Sequence, residues 1–142
     1  MCRKYMCERI TMARSDYKTN GKVVYLIQYH IVWCPKFRRN LFTGALKDRL
    51  ETIIRECCLE RNVAINALEV MPNHVHLFVS CDYKSPVYKL IKAIKGRSSH
   101  NLREEFPDLK KMHTLWSRSF FVASTGNVSA STVQKYIENQ WN

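Results

Sequence analysis

An α+β domain built on an antiparallel sheet is predicted for this chain, and three observations predict it. Two β-rich runs, 63–71 and 74–81, meet at Pro72-Asn73, a hairpin composition. Two segments with apolar residues at helical spacing, one over 45–61 and one opening at 85, alternate with further β-branched and aromatic runs at 23–34 and 118–125. The resulting order is β-α-β-β-α-β with a trailing helix. That is the split β-α-β pattern of ferredoxin-like and RNA-recognition-motif-like folds. With 142 residues and 46% hydrophobic content, the chain has material for one such domain and its core.

Each element has its own signals. Residues 1–22 are basic and polar without clear periodicity and read as a loose N-terminal arm, leaving 23–142 as the folded domain. Val23 to Cys34 is the first strand. Pro35 ends it, and Lys36-Phe-Arg-Arg39 follows as a basic loop. Over Ala45 to Arg61, Leu46, Leu50, Ile53, Ile54 and Cys57 recur at helical spacing, and Asn62 suits the helix end. Val63 to Met71 and His74 to Cys81 are the hairpin strands. Ser85-Pro86 opens a second helix, with Ser as cap and Pro at the first position. Val87, Leu90, Ile91 and Ile94 form its buried stripe, and Lys89, Lys92 and Lys95 fall outside it. Gly96 costs about 1 kcal/mol against Ala there, so a kink or a close approach is expected. The helix should reach Phe106, before Pro107. Arg118 to Thr125 is the fourth strand, Gly126-Asn127 a turn, and Ser131 to Gln140 the last helix, with Ser131 and Gln134 at capping-box spacing.

Charge narrows the function. Lys and Arg number 23 against 12 Asp and Glu, a formal net charge of +11, which favours a polyanionic partner, usually nucleic acid. Six cysteines (2, 7, 34, 57, 58 and 81) form no C-x-x-C pair, so a zinc ribbon has little support. Cys57-Cys58 reads as packing. No signal peptide is evident and no apolar run approaches the ~20 residues of a membrane span. The expectation is a cytoplasmic protein with reduced thiols and no membrane partner.

The chemistry centres on Met71-Pro-Asn-His-Val-His-Leu77. His74 and His76 are two apart on a strand, so they point to one face and can hold one divalent metal. Tyr136 and Gln140 are four apart on a helix and share a face. A tyrosine hydroxyl is a possible covalent nucleophile, weak at its ordinary pKa of ~10. A glutamine carbonyl can ligate a hard cation. Together they suggest two imidazoles, an amide oxygen and a tyrosine around a phosphate. The metal would act as a Lewis acid, and a phosphotyrosine ester would keep the bond energy, so that rejoining needs no ATP. Each part also has a plain reading. A His-x-His can be a packing pair. Tyr136, between Val133 and Ile137, can be a core aromatic. Gln140 alone carries almost no signal. A zinc hydrolase of the H-x-H-x-D-H type would need Asp and His where Phe78 and Val79 stand, and a cupin would be all-β and richer in glycine than these four.

With these residues in place, the chain resembles the small single-tyrosine HUH transposases, which mobilise bacterial and archaeal insertion sequences as single-stranded DNA. Five blocks carry the resemblance, in order from Val23 onward: Tyr29-His-Ile-Val-Trp-Cys-Pro-Lys-Phe-Arg-Arg39, Met71-Pro-Asn-His-Val-His-Leu77, Ile94-Lys-Gly-Arg-Ser-Ser99, Leu115-Trp-Ser-Arg118 and Tyr136-Ile-Glu-Asn-Gln140. The resemblance implies that His74, His76 and Gln140 bind Mg²⁺ or Mn²⁺. It implies that Tyr136 cuts one strand to leave a 5′-phosphotyrosine and a free 3′-OH. It further implies a homodimer with shared active sites, recognition of DNA hairpins at element ends, and a hinge at Gly126.

DNA contact needs cations for phosphate and flat or polar groups for exposed bases. Lys36, Arg38 and Arg39 are one candidate cluster; Lys92, Lys95, Arg97 and Ser98 are another. Either can instead be a solvated basic face. His30 lies in the first strand, where it can face the site or serve as a packed, hydrogen-bonded histidine. The alternative function is a non-catalytic single-stranded DNA or RNA hairpin-binding protein on the same fold.

Overall fold

The computed structural model describes residues 18–124 and 130–139. Strands β1 (Lys18–Thr19) and β2 (Val24–Tyr25) form a small antiparallel ribbon. The main sheet is made of β3 (Gln28–Trp33), β4 (Ala64–Met71), β5 (His74–Ser80) and β6 (Phe121–Ala123). Its order is β4-β5-β3-β6, antiparallel throughout. Helices α1 (Gly44–Glu60) and α2 (Val87–Glu105) connect β3 to β4 and β5 to β6, and α3 (Ala130–Glu138) closes the described chain. The expected α+β, ferredoxin-like order is therefore present, with the first and third strands of the motif at the centre.

The two faces of the sheet differ, and the difference places the site. Ile31, Trp33, Val75, Leu77 and Val79 point to one face and join Leu50, Ile53, Ile54 and Cys57 of α1 and Leu90, Ile91 and Ile94 of α2 in one core. Cys58, Cys81 and Leu102 complete that core as buried side chains, so the cysteine pair is packing. Burial pushes the Cys58 thiol up to about 12, which keeps it protonated and inert. On the opposite face stand His30, Val32, His74, His76 and Phe121. Register requires this, because Val32 pairs with both His76 and Phe121 and paired residues share a face. A second, smaller cluster of Val32, Cys34 and Ile137 seats α3 on that face.

Several boundaries differ from the sequence reading. The first strand is not continuous over 23–34: Val24–Tyr25 pair with Lys18–Thr19, so part of the expected loose arm is an ordered ribbon. An Asn20 side chain accepts from the amides of Lys22 and Val23 to close its turn. The Pro86 backbone is extended and takes the cap position itself, so α2 begins at Val87 and Ser85 lies outside it. Helix α2 runs through Gly96 without a break, and a Cβ there would meet nothing within 4 Å. Neither a kink nor a close approach accounts for that glycine. The fourth strand is only Phe121–Ala123, and in the segment before it Lys95 Nζ donates to the carbonyls of Ser117 and Ser119. Helix α3 starts at Ala130, so Ser131 sits inside its first turn rather than at its cap, and Gln134 donates to Glu138 instead. The expected turn at Gly126-Asn127, the ligand Gln140 and the arm over 1–17 lie outside the described residues.

Candidate active site

His74 and His76 occupy the start of β5, at the end of the sheet where the β4–β5 hairpin turns. Both are half-buried. Burial lowers both imidazole pKa values, His76 further depresses His74, and His30 further depresses His76; Glu69 opposes this in each case. Both rings are thus biased to the neutral form that a metal requires. His74 Nδ1 lies 2.8 Å from Asn73 Oδ1, which can only accept, so Nδ1 carries the hydrogen and Nε2 is left with its lone pair. Such an outer bond to the second ring nitrogen is the usual support of a metal-binding histidine. Among the described residues no group of three or more His, Cys, Asp or Glu is placed to hold a metal. Two neutral imidazoles on one face fit a divalent cation only with a further ligand.

His30 belongs to this site. Its Nδ1 lies 3.2 Å from His76 Nε2, and its ring stacks on Phe78 with centroids 4.2 Å apart and planes 2° from parallel. Residue spacing along β3 could not show this, since the contact depends on how β3 and β5 are registered.

Tyr136 reaches the same sheet face from α3. Its ring packs on Phe121 at 5.6 Å, and its hydroxyl lies 3.1 Å from Ser119 Oγ. The neighbouring Ile137 is buried against Val32 and Cys34. In the single chain, the tyrosine helix packs on its own sheet. Burial raises the phenol to about 12; the Ser119 bond pulls the other way, and Cys34 adds to the rise. In this arrangement the hydroxyl holds its proton firmly. Ser119 had no signature in the sequence beyond its place before the fourth strand.

The loop after β3 ties these parts together. Leu41 and Phe42 donate backbone hydrogen bonds to the Pro72 carbonyl, in the turn before His74. Arg38 donates to the Ile137 carbonyl at 3.1 Å, one residue past Tyr136. A cation at the last turn also suits the helix dipole.

The expected DNA-contact residues separate into two groups. Arg38 spends a guanidinium N–H on the tyrosine helix. Lys95 is partly buried and holds the Ser117 and Ser119 carbonyls. Arg97 forms a two-pronged bridge to Glu60 at 2.9 and 2.7 Å. Ser98 is fully buried and accepts from Trp116 Nε1 at 2.9 Å, which removes it from any surface. Lys92 lines a groove of about 550 Å³ with Tyr88, Gly96, Arg118 and Phe120. Lys36 and Arg39 line a neighbouring groove of about 390 Å³ with Phe37, Lys111 and Arg118. Arg118 is common to both, and sequence reading had not singled it out.

Comparison with known proteins agrees with this architecture. The family described as "Transposase IS200 like" matches residues 23–140. The ISDra2 transposase TnpA of Deinococcus radiodurans is 32% identical over 128 residues, which cover 88% of this chain and 91% of that protein. The transposase of insertion sequence element IS200 from Salmonella typhimurium is 33% identical over 128 residues, covering 88% and 84%. A crystal structure titled as a transposase of Deinococcus radiodurans superimposes with a TM-score of 0.81 at 32% identity, over 87% of this chain and 97% of that one. A tyrosine transposase solved with a REP hairpin shares the fold, with a TM-score of 0.57 at 15% identity over 84% and 69%.

Proposed function

The chain belongs to the IS200-like transposase family, and we propose that it binds hairpins at insertion-sequence ends and cuts and rejoins single-stranded DNA there through a 5′-phosphotyrosine on Tyr136. The observation that supports this most is the shared sheet face: the imidazole pair and the tyrosine helix converge on it within one chain. Hairpin binding is part of the proposal; the hairpin-bound structure contributes a likeness of fold. Among the described residues no helix is long and apolar enough to cross a membrane. We place the activity on DNA in a bacterial or archaeal cytoplasm.

In the proposed reaction Tyr136 Oη forms a bond to phosphorus and the bond from phosphorus to the 3′-oxygen breaks. The phenol loses its proton and the departing 3′-oxygen gains one. A 3′-hydroxyl attacking the phosphotyrosine reverses both changes and reseals a strand without ATP. His74 and His76, joined by Gln140, would hold Mg²⁺ or Mn²⁺. Bound there, the cation would supply Lewis-acid polarisation of the phosphate and offset developing charge. Asn73 and His30 orient the two imidazoles. Ser119 and Arg38 hold the phenol and its helix. A homodimer supplies two tyrosines for two element ends; shared active sites would require α3 to leave Val32 and Cys34 for the partner's sheet.

The test incubates the protein with single-stranded DNA carrying its element end and Mg²⁺ or Mn²⁺, followed by denaturing gel and mass spectrometry. An adduct on Tyr136, absent with EDTA and in Tyr136→Phe, is the expected result. Hairpin binding with no adduct would favour the non-catalytic hairpin-binding protein.

A further inference from the structure

Phe37 is the least expected side chain near the site. It is an apolar aromatic left 59% exposed, and its backbone is left-handed at φ 59, a region that bulky residues rarely occupy. Arg38 follows at φ 48. The loop holds this shape from three sides: Lys36 N donates to the Leu115 carbonyl at 2.8 Å, Arg38 N to the Pro35 carbonyl at 3.0 Å, and the Arg38 guanidinium to Ile137. The result turns Arg38 toward the tyrosine helix and Phe37 away from the core. Strained, over-determined backbone of this kind clusters at ligand sites.

The surroundings of the ring indicate the ligand. Lys36 Nζ lies 5.4 Å and the Arg39 guanidinium carbon 5.8 Å from its centroid. The adjoining groove of about 390 Å³ adds Lys111 and Arg118, and among the described residues no carboxylate lines it. A second copy of a chain of net charge +11 would meet repulsion here, whereas a polyanion with flat apolar groups would be attracted on both counts. Resting on the reading of this chain as a single-strand DNA transposase, we infer that Phe37 is a stacking platform for one unpaired base of the DNA strand. Lys36 and Arg39 exchange their contact with the ring for the phosphates on either side of that nucleotide. Because Arg38 joins the same loop to α3, the platform lies beside the tyrosine helix and receives unpaired strand rather than hairpin duplex.

The test measures binding by fluorescence anisotropy, using oligothymidylate, the same oligomer with abasic residues, and the element-end hairpin without its flanking strand. Phe37→Ala should weaken oligothymidylate binding about 5- to 100-fold, the range for loss of one stacked base. Phe37→Trp should retain it. The deficit should vanish on the abasic oligomer and on the bare hairpin, and the salt slope should not change. Lys36→Gln should instead lower that slope by about 0.7. Equal affinity of wild type and Phe37→Ala for oligothymidylate would overturn the inference while leaving the transposase reading intact. No binding of single strands by wild type would remove both. A change of oligomeric mass in Phe37→Ala with unchanged DNA affinity would assign the ring to contact between copies. The side chain is exposed, so matched melting temperatures are expected and exclude misfolding.

Discussion

His30 Nδ1 and His76 Nε2 face each other across 3.2 Å between neighbouring strands, with the His30 ring flat against Phe78. One hydrogen serves both nitrogens, and this shared bond lets His30 orient the His76 ring. We expect His30→Phe to weaken Mn²⁺ binding about 10- to 100-fold, as loss of an outer partner does. Isothermal calorimetry reads this directly. Tighter binding instead would mean that His30 competes for the ligating lone pair.

The phenol of Tyr136 is pushed up to about 12 by burial. If the phenolate attacks, the single-turnover rate of adduct formation should climb steadily with pH from 7 to 9.5, without a plateau, because the whole range lies below that pKa. A plateau near neutrality would point to a base that takes the proton as the bond forms.

Arg38 bonds Ile137 and braces the tyrosine helix against its own sheet. Arg38→Gln should lower adduct formation by about tenfold, the scale of one charge-assisted hydrogen bond, with hairpin affinity within twofold of wild type. Arg38→Lys should recover part of the rate. A loss confined to hairpin affinity, with a flatter salt dependence, would return Arg38 to the DNA surface.

Ser98 and Trp116 share a buried hydrogen bond. Ser98→Ala leaves the indole N–H without an acceptor and should cost about 1–3 kcal/mol of stability, with no change in the salt dependence of DNA binding. Urea denaturation and a salt titration decide it; full stability with weakened DNA binding would contradict the placement.

His74 and His76 have pKa values lowered below the ordinary imidazole value, mainly by burial. The folded chain therefore binds these protons less readily than the unfolded one. The stability they contribute is present above about pH 6.5 and is lost as pH falls through the lowered values. In EDTA, melting temperature should drop between pH 7.5 and 5, and drop less in a His74→Gln, His76→Gln double variant. Parallel curves would show that other groups control acid stability.

Much of this architecture was legible in the residues themselves. The helical stripe from Leu50 to Cys57 and the alternation around His74 and His76 are local patterns, and local periodicity is what sets helix and strand. The same patterns placed two imidazoles on one face. Only the tertiary structure could pair His30 with His76, because a strand does not encode its register with a neighbour 46 positions away. Only packing could decide which cations are free. Arg97, Lys95 and Arg38 read alike as basic surface, yet each meets a partner brought near by another element: Glu60, the Ser117 and Ser119 carbonyls, and Ile137. Local order follows from the chain's own chemistry, whereas the role of a polar side chain follows from the partner that folding places within about 3 Å of it.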